Sequence, residues 1–149
     1  MASRIRAVTS SKLEQKYFVT PEHQIHFTIL AWFVSDKSWV KPDVVNNPAK
    51  IISDLVLEHE QHHFDIVELY ARQIRQALSN IVFYDSTYKR DIPKLFKKYY
   101  DQYREDQKRY DSEAGHGEFR RQQDWVNSID DQLKSLKKYS DTCVIVNIY

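Results

Sequence analysis

Residues 55–67 read Leu-Val-Leu-Glu-His-Glu-Gln-His-His-Phe-Asp-Ile-Val, and their period decides how the surrounding chain folds. Ile52, Leu55, Val56, Ile66, Val67 and Tyr70 recur at the three- and four-residue intervals of one helix face. His59 and His63 fall on that stripe and interrupt it at its middle, a placement that favours a site over a solvated surface. Asn47-Pro48 supplies a start signal, with Asn47 as N-cap and Pro48 at the first helical position, and the helix should run to about Leu78. His59-Glu60-Gln61-His62-His63 is also an HExxH sequence. Two histidines four apart project from one helix face and can grip one zinc ion, and the adjacent glutamate can act as general base on a zinc-bound water.

Working outward, the N-terminal side reads as strands. In Gln24–Val34, Ile25, Phe27, Ile29, Ala31 and Phe33 share one face, and Leu30, Trp32 and Val34 the other. Lys16–Thr20 can pair with it through a turn at Pro21-Glu22-His23, and Ser35–Asn46, with Pro42, reads as a loop. On the C-terminal side a second helix is expected from Asp91-Ile92-Pro93 toward Tyr110, with Leu95, Tyr99 and Tyr103 at helical spacing. A third spans Glu118 to Lys137 and carries Phe119, Val126, Ile129, Leu133 and Leu136. Cys143–Tyr149 reads as a short terminal strand. The expected architecture is α+β in a single domain over 1–149, an N-terminal antiparallel sheet on the HExxH helix and two further helices.

Composition narrows the function. The 149 residues suffice for one hydrophobic core, and 22 basic against 21 acidic residues argue against a dedicated nucleic-acid binder. Lys94, Lys97 and Lys98 cluster, but Asp101, Glu105 and Asp106 follow, as on a solvated helix face. No apolar run has membrane-spanning length, and no signal peptide is expected in this stretch. Cys143 is alone, which excludes an internal disulfide and a thiolate zinc site.

A catalytic zinc site needs a third protein ligand. His116 is the strongest candidate, flanked by Gly115 and Gly117, the chain's only glycines, where a loop can fold tightly over another element. The plainer reading is a helix C-cap glycine beside an incidental histidine. Asp111, Glu113 and Glu118 are rivals. Glu68 lies at the wrong depth for the same metal, and Asp65 is better placed to orient an imidazole or a loop. Glu60 is the expected base and Tyr110 a candidate oxyanion donor, although a tyrosine at that spacing is more often core. His62 lies about 100° round the helix from His63 and reads as an ordinary, partly exposed histidine. His23 and His26 read as structural, and no nucleophile–base pair or phosphate-binding glycine loop is present.

His59–Ile66, Tyr70-Ala71-Arg72, Tyr110-Asp111 leading to His116-Gly117, and the upstream Ser38-Trp39-Val40 together resemble a bacterial domain-of-unknown-function family whose members are predicted secreted zinc-dependent proteases. The resemblance runs from about Ile25 to Gln123, with one departure, Ala114 where threonine is expected. It implies a zincin-like fold, with Zn2+ held by His59, His63 and His116, Glu60 as base, and a peptide or protein substrate laid along a strand edge within residues 24–34. It also implies a secreted or periplasmic location. The leading expectation is therefore a zinc metallopeptidase. The alternatives are a non-catalytic zinc- or peptide-binding domain on the same scaffold, and a metal-free fold in which the histidines are satisfied core residues.

Overall fold

The computed structural model describes residues 6–115 and 119–149. Along the chain lie β1 (Ala7–Val8), β2 (Ser11–Val19), β3 (Gln24–Phe33), β4 (Trp39–Val40), α1 (Pro42–Val45), α2 (Lys50–Asn80), α3 (Tyr88–Ala114), α4 (Phe119–Ser135) and β5 (Cys143–Asn147). The class is mixed α+β, with two small antiparallel sheets, β1–β4 and β2–β3–β5.

β2 and β3 form the expected hairpin. Thr20 N–H donates to the Gln24 carbonyl, and His23 turns the chain with a positive φ of 56°, unusual without glycine. The register runs from Ser11 opposite Phe33 to Val19 opposite Ile25. Alternation then does what the sequence implies: Leu13, Ile25, Phe27 and Ile29 point inward and are essentially inaccessible. Phe33, on the same face, is 54% exposed, so the buried face ends before the strand does.

The three-stranded sheet is not N-terminal alone. The terminal strand β5 pairs along Gln24–Thr28 and leaves β3 in the centre, so most of 24–34 is interior to the sheet. The expected substrate-receiving edge is thereby reduced to the end of β3. Odd-numbered residues of β3 aim their backbone groups toward β5, and Ile29 N–H still donates to the Thr142 carbonyl. Beyond it, Ala31 and Phe33 have no hydrogen-bond partner on that side among the described residues.

α2 packs across this sheet, with Ile66, Val67, Tyr70, Ala71, Ile74 and Leu78 in a core shared with α3, α4 and the hairpin. It begins at Lys50 rather than at Pro48. The Asn47 side-chain oxygen accepts the Ala49 N–H at 2.8 Å, forming a short turn ahead of the helix, and the first helical bond runs from Ile52 N–H to the Ala49 carbonyl. Pro42, expected in loop, opens the short helix α1, where its fixed φ suits the first turn. α3 starts at Tyr88, one turn before its expected origin, and carries Pro93 inside it. The chain ahead of α3 is fixed from elsewhere: Asp85 N–H donates to the Tyr149 carbonyl, and Tyr149 N–H to that of Phe83. Among the described residues no helix is long and apolar enough to cross a membrane.

Candidate functional site

The middle of α2 faces the C-terminal half of α3, and the histidines meet a carboxylate there. Asp111 Oδ1 lies 3.0 Å from His63 Nε2 and 3.5 Å from His59 Nε2. The three ligand-type atoms lie within 4.8 Å of one another. Both imidazoles are largely buried, whereas the Asp111 side chain is 65% exposed, so the group opens to solvent on the carboxylate side.

Gln107, which the sequence reading did not single out, fixes the state of His63. Its side-chain amide donates to the His63 backbone carbonyl at 2.8 Å. That bond turns Oε1 toward the ring, 2.6 Å from Nδ1, so Nδ1 carries the proton. Nε2 then aims a lone pair at the Asp111 carboxylate. Two acceptors at that distance need a cation beside them or a second proton on the ring. Burial by itself lowers the His63 pKa, but hydrogen bonds to Asp111 and Gln107 and the charges of Asp111 and Glu60 outweigh it and raise the value above the ordinary one. Hydrogen bonds from His59 and His63 hold the Asp111 carboxyl well below the usual carboxylate range. A divalent cation bound between these groups would take the place of the proton that the His63–Asp111 contact favours.

His59 is held differently. The Tyr110 ring stacks on it with centroids 4.6 Å apart, and the Tyr110 hydroxyl donates to the His59 carbonyl at 3.2 Å. Tyr110 is fully buried, and burial raises the pKa of its phenol. The hydroxyl that the sequence offers as a candidate oxyanion donor thus donates to the helix backbone in this structure. Trp125 of α4 packs against Tyr110 and donates to Glu113, which also receives Arg109. Glu113 is thereby engaged away from the histidines.

The remaining candidates separate cleanly. Glu68 receives Arg72 and the buried Arg75, so it belongs to a structural network. Asp65 receives the Gln61 amide, 2.9 Å away, and lies 3.8 Å from His62. His62 is buried rather than partly exposed, because α4 covers its face: Nδ1 approaches the Glu58 carbonyl, and Nε2 lies 3.9 Å from Asp130. His116, Gly117 and Glu118 lie outside the described residues. Gly115 ends α3 with its N–H donated to the Asp111 carbonyl, and a Cβ there would come within 2.4 Å of that oxygen. Close approach to the carboxylate-bearing residue is thus a reason for this glycine, and it is also the C-cap. Ser38 ties the N-terminal segment through the Ser10 N–H and the Val34 carbonyl, and Trp39-Val40 forms β4.

Three buried side-chain atoms have no hydrogen-bond partner among the described residues: His59 Nδ1, Glu60 Oε2 and, in the hairpin turn, Thr20 Oγ1. Buried polar groups without partners are rare and call for an explanation. Two of the three belong to the motif, and two imidazoles with one carboxylate are a donor set suited to zinc. The residues therefore fit the metal that the motif implies.

No curated protein and no solved structure matches the chain. Residues 19–117, more than half of the 149, match the family described as "Bacterial protein of unknown function (DUF922)", and the chain belongs to that bacterial family of unknown function.

Proposed function

We propose that the protein is a zinc-dependent hydrolase of peptide bonds, with His59, His63 and Asp111 as the metal-holding set. The observation that carries the reading is the convergence of two imidazole Nε2 atoms and a carboxylate within 4.8 Å, on a helix that also presents Glu60. Zinc, when bound, would supply Lewis-acid activation of the water and of the scissile carbonyl. Glu60 takes the proton from the attacking water and delivers it to the leaving amine. Gln107 keeps His63 in the tautomer with a free Nε2, and Tyr110 holds the His59 turn of α2. The backbone of Ala31 and Phe33, without a partner on the β5 side among the described residues, offers an extended peptide two rungs of strand pairing.

The test is metal content and turnover on one set of variants. The native chain is expected to hold about one zinc, Asp111→Ala to lose it, and Glu60→Gln to keep it while losing hydrolysis. His116→Ala completes the set: zinc lost there but retained in Asp111→Ala would move the third ligand to His116. A native chain that takes up no zinc on reconstitution overturns the proposal. Zinc bound with Glu60→Gln indistinguishable from native replaces it with a non-catalytic zinc- or peptide-binding domain.

A further inference from the structure

Beside Glu60 lies a depression of about 380 Å3, lined by Thr9, Phe33, Leu57, Glu60, Gln61 and Phe64. Four of these follow one another at helical spacing on α2: Leu57, Glu60, Gln61 and Phe64. At 100° per residue, Glu60 lies about 60° round the helix from Leu57, and His63 about 60° further in the same sense. The surface of α2 therefore passes from metal-ligand residues, through the base, to an apolar wall. The opposite wall is Phe33, where the inward face of β3 stops being covered. Phe33 and Leu57 are 54% and 53% exposed, whereas Ile25, Phe27 and Ile29 on the same strand face are at most 1% exposed.

We infer that this depression is the specificity pocket of the site, and that it takes one bulky apolar side chain, aromatic or branched aliphatic, of an extended peptide. The inference rests on the reading of the site as a peptide hydrolase. Two features commit the occupant. First, the pocket is continuous with the candidate catalytic residue, since Glu60 forms part of both. Second, Phe33, which forms one of its walls, has a backbone without a hydrogen-bond partner on the β5 side among the described residues, as does Ala31 two residues before it. A strand laid on that edge alternates its side chains, so a residue paired beside Phe33 sends its side chain to the face on which Phe33 lies, over Leu57 and Phe64. An acidic side chain would meet Glu60 there, and glycine or alanine would leave the apolar walls wet.

A blocked oligo-alanine peptide and the same peptide with phenylalanine at its centre distinguish the outcomes. Their affinities are measured by calorimetry on zinc-loaded Glu60→Gln and on the same chain also carrying Leu57→Asn, a substitution at an exposed position expected to leave the melting temperature unchanged. The phenylalanine peptide should bind about 10- to 100-fold tighter, the gain from burying one large apolar side chain. Leu57→Asn should bring the ratio to within about threefold. Equal affinities, no binding of either peptide, or a ratio untouched by Leu57→Asn would each overturn the pocket. Cleavage of both peptides by the native chain is followed in parallel. Preference in binding without cleavage sinks the hydrolase reading and leaves the pocket, whereas cleavage without preference does the reverse.

Discussion

Beside Asp111, two further α3 side chains, Gln107 and Tyr110, hold the histidines of α2, and they do so by different means. Gln107 spans the Nδ1 and the backbone carbonyl of the same residue, His63, so ring and helix move together. Gln107→Leu keeps the volume but removes both bonds, and it should weaken zinc about 10- to 100-fold in a chelator competition; unchanged affinity would show that His63 needs no orienting partner. Tyr110→Phe preserves the ring stack on His59 and removes only the hydroxyl bond. The expected cost is about 1 kcal/mol of stability, with any hydrolysis falling less than about tenfold, whereas a loss of about 100-fold or more would restore the tyrosine as an oxyanion donor. At this scale the sequence singled out His59, His63 and Glu60 through their spacing on one helix. It left Asp111 among several carboxylates and passed over Gln107, because which α3 residues oppose α2 depends on how the two helices pack, and no local pattern encodes it.

α2 is anchored to the sheet by an arginine rather than by apolar contacts alone. Arg75 is 1% exposed and donates through Nε and Nη2 to the Ile29 carbonyl, and through Nη1 to the Tyr139 carbonyl and to Glu68. It caps the open side of β3 where β5 has ended, and it binds the segment after α4 to the same point. Arg75→Met would leave those carbonyls and the Glu68 carboxylate without their donor. The expected loss is about 3 to 5 kcal/mol in urea unfolding, and a change below about 0.5 kcal/mol would place Arg75 outside the stabilising network. The elements themselves were legible: the period-2 stretch gave β3, and the period of three and four gave α2. Their starts were less so. Asn47 spends its side chain on a turn before α2. α3 begins ahead of Pro93 because long-range bonds from the C-terminal segment hold residues 83–85.

Taken whole, the molecule buries several phenols around the α2–α3 seam. Burial raises the pKa of Tyr70, Tyr100, Tyr103 and Tyr110, and the Asp106 carboxylate that accepts the Tyr70 hydroxyl adds to it there. Their folded-state pKa values stand above the unfolded value, so the stability they contribute is complete below about pH 10. It is lost as pH rises further, because the unfolded chain releases protons that the folded chain retains. The melting temperature should therefore fall steeply above about pH 10, with phenolate absorbance jumping at the unfolding transition. A smooth titration of all ten tyrosines ahead of unfolding would contradict the burial.

The sequence by itself determined the helix that carries the motif, the hairpin, the terminal strand and the mixed α+β class. Each follows from a local period or a turn signal that neighbouring residues specify among themselves. Tertiary structure decided the rest. It carried β5 across the chain onto β3, which turned an expected edge strand into a central one and, among the described residues, left Ala31 and Phe33 without partners on that side. It placed Asp111 against His59 and His63 across a long stretch of intervening chain. It buried His62 under α4 and sent the Tyr110 hydroxyl to a backbone carbonyl. Each of these outcomes depends on which faces meet when elements pack, a choice made by the shared core and not by the spacing of residues along any one element.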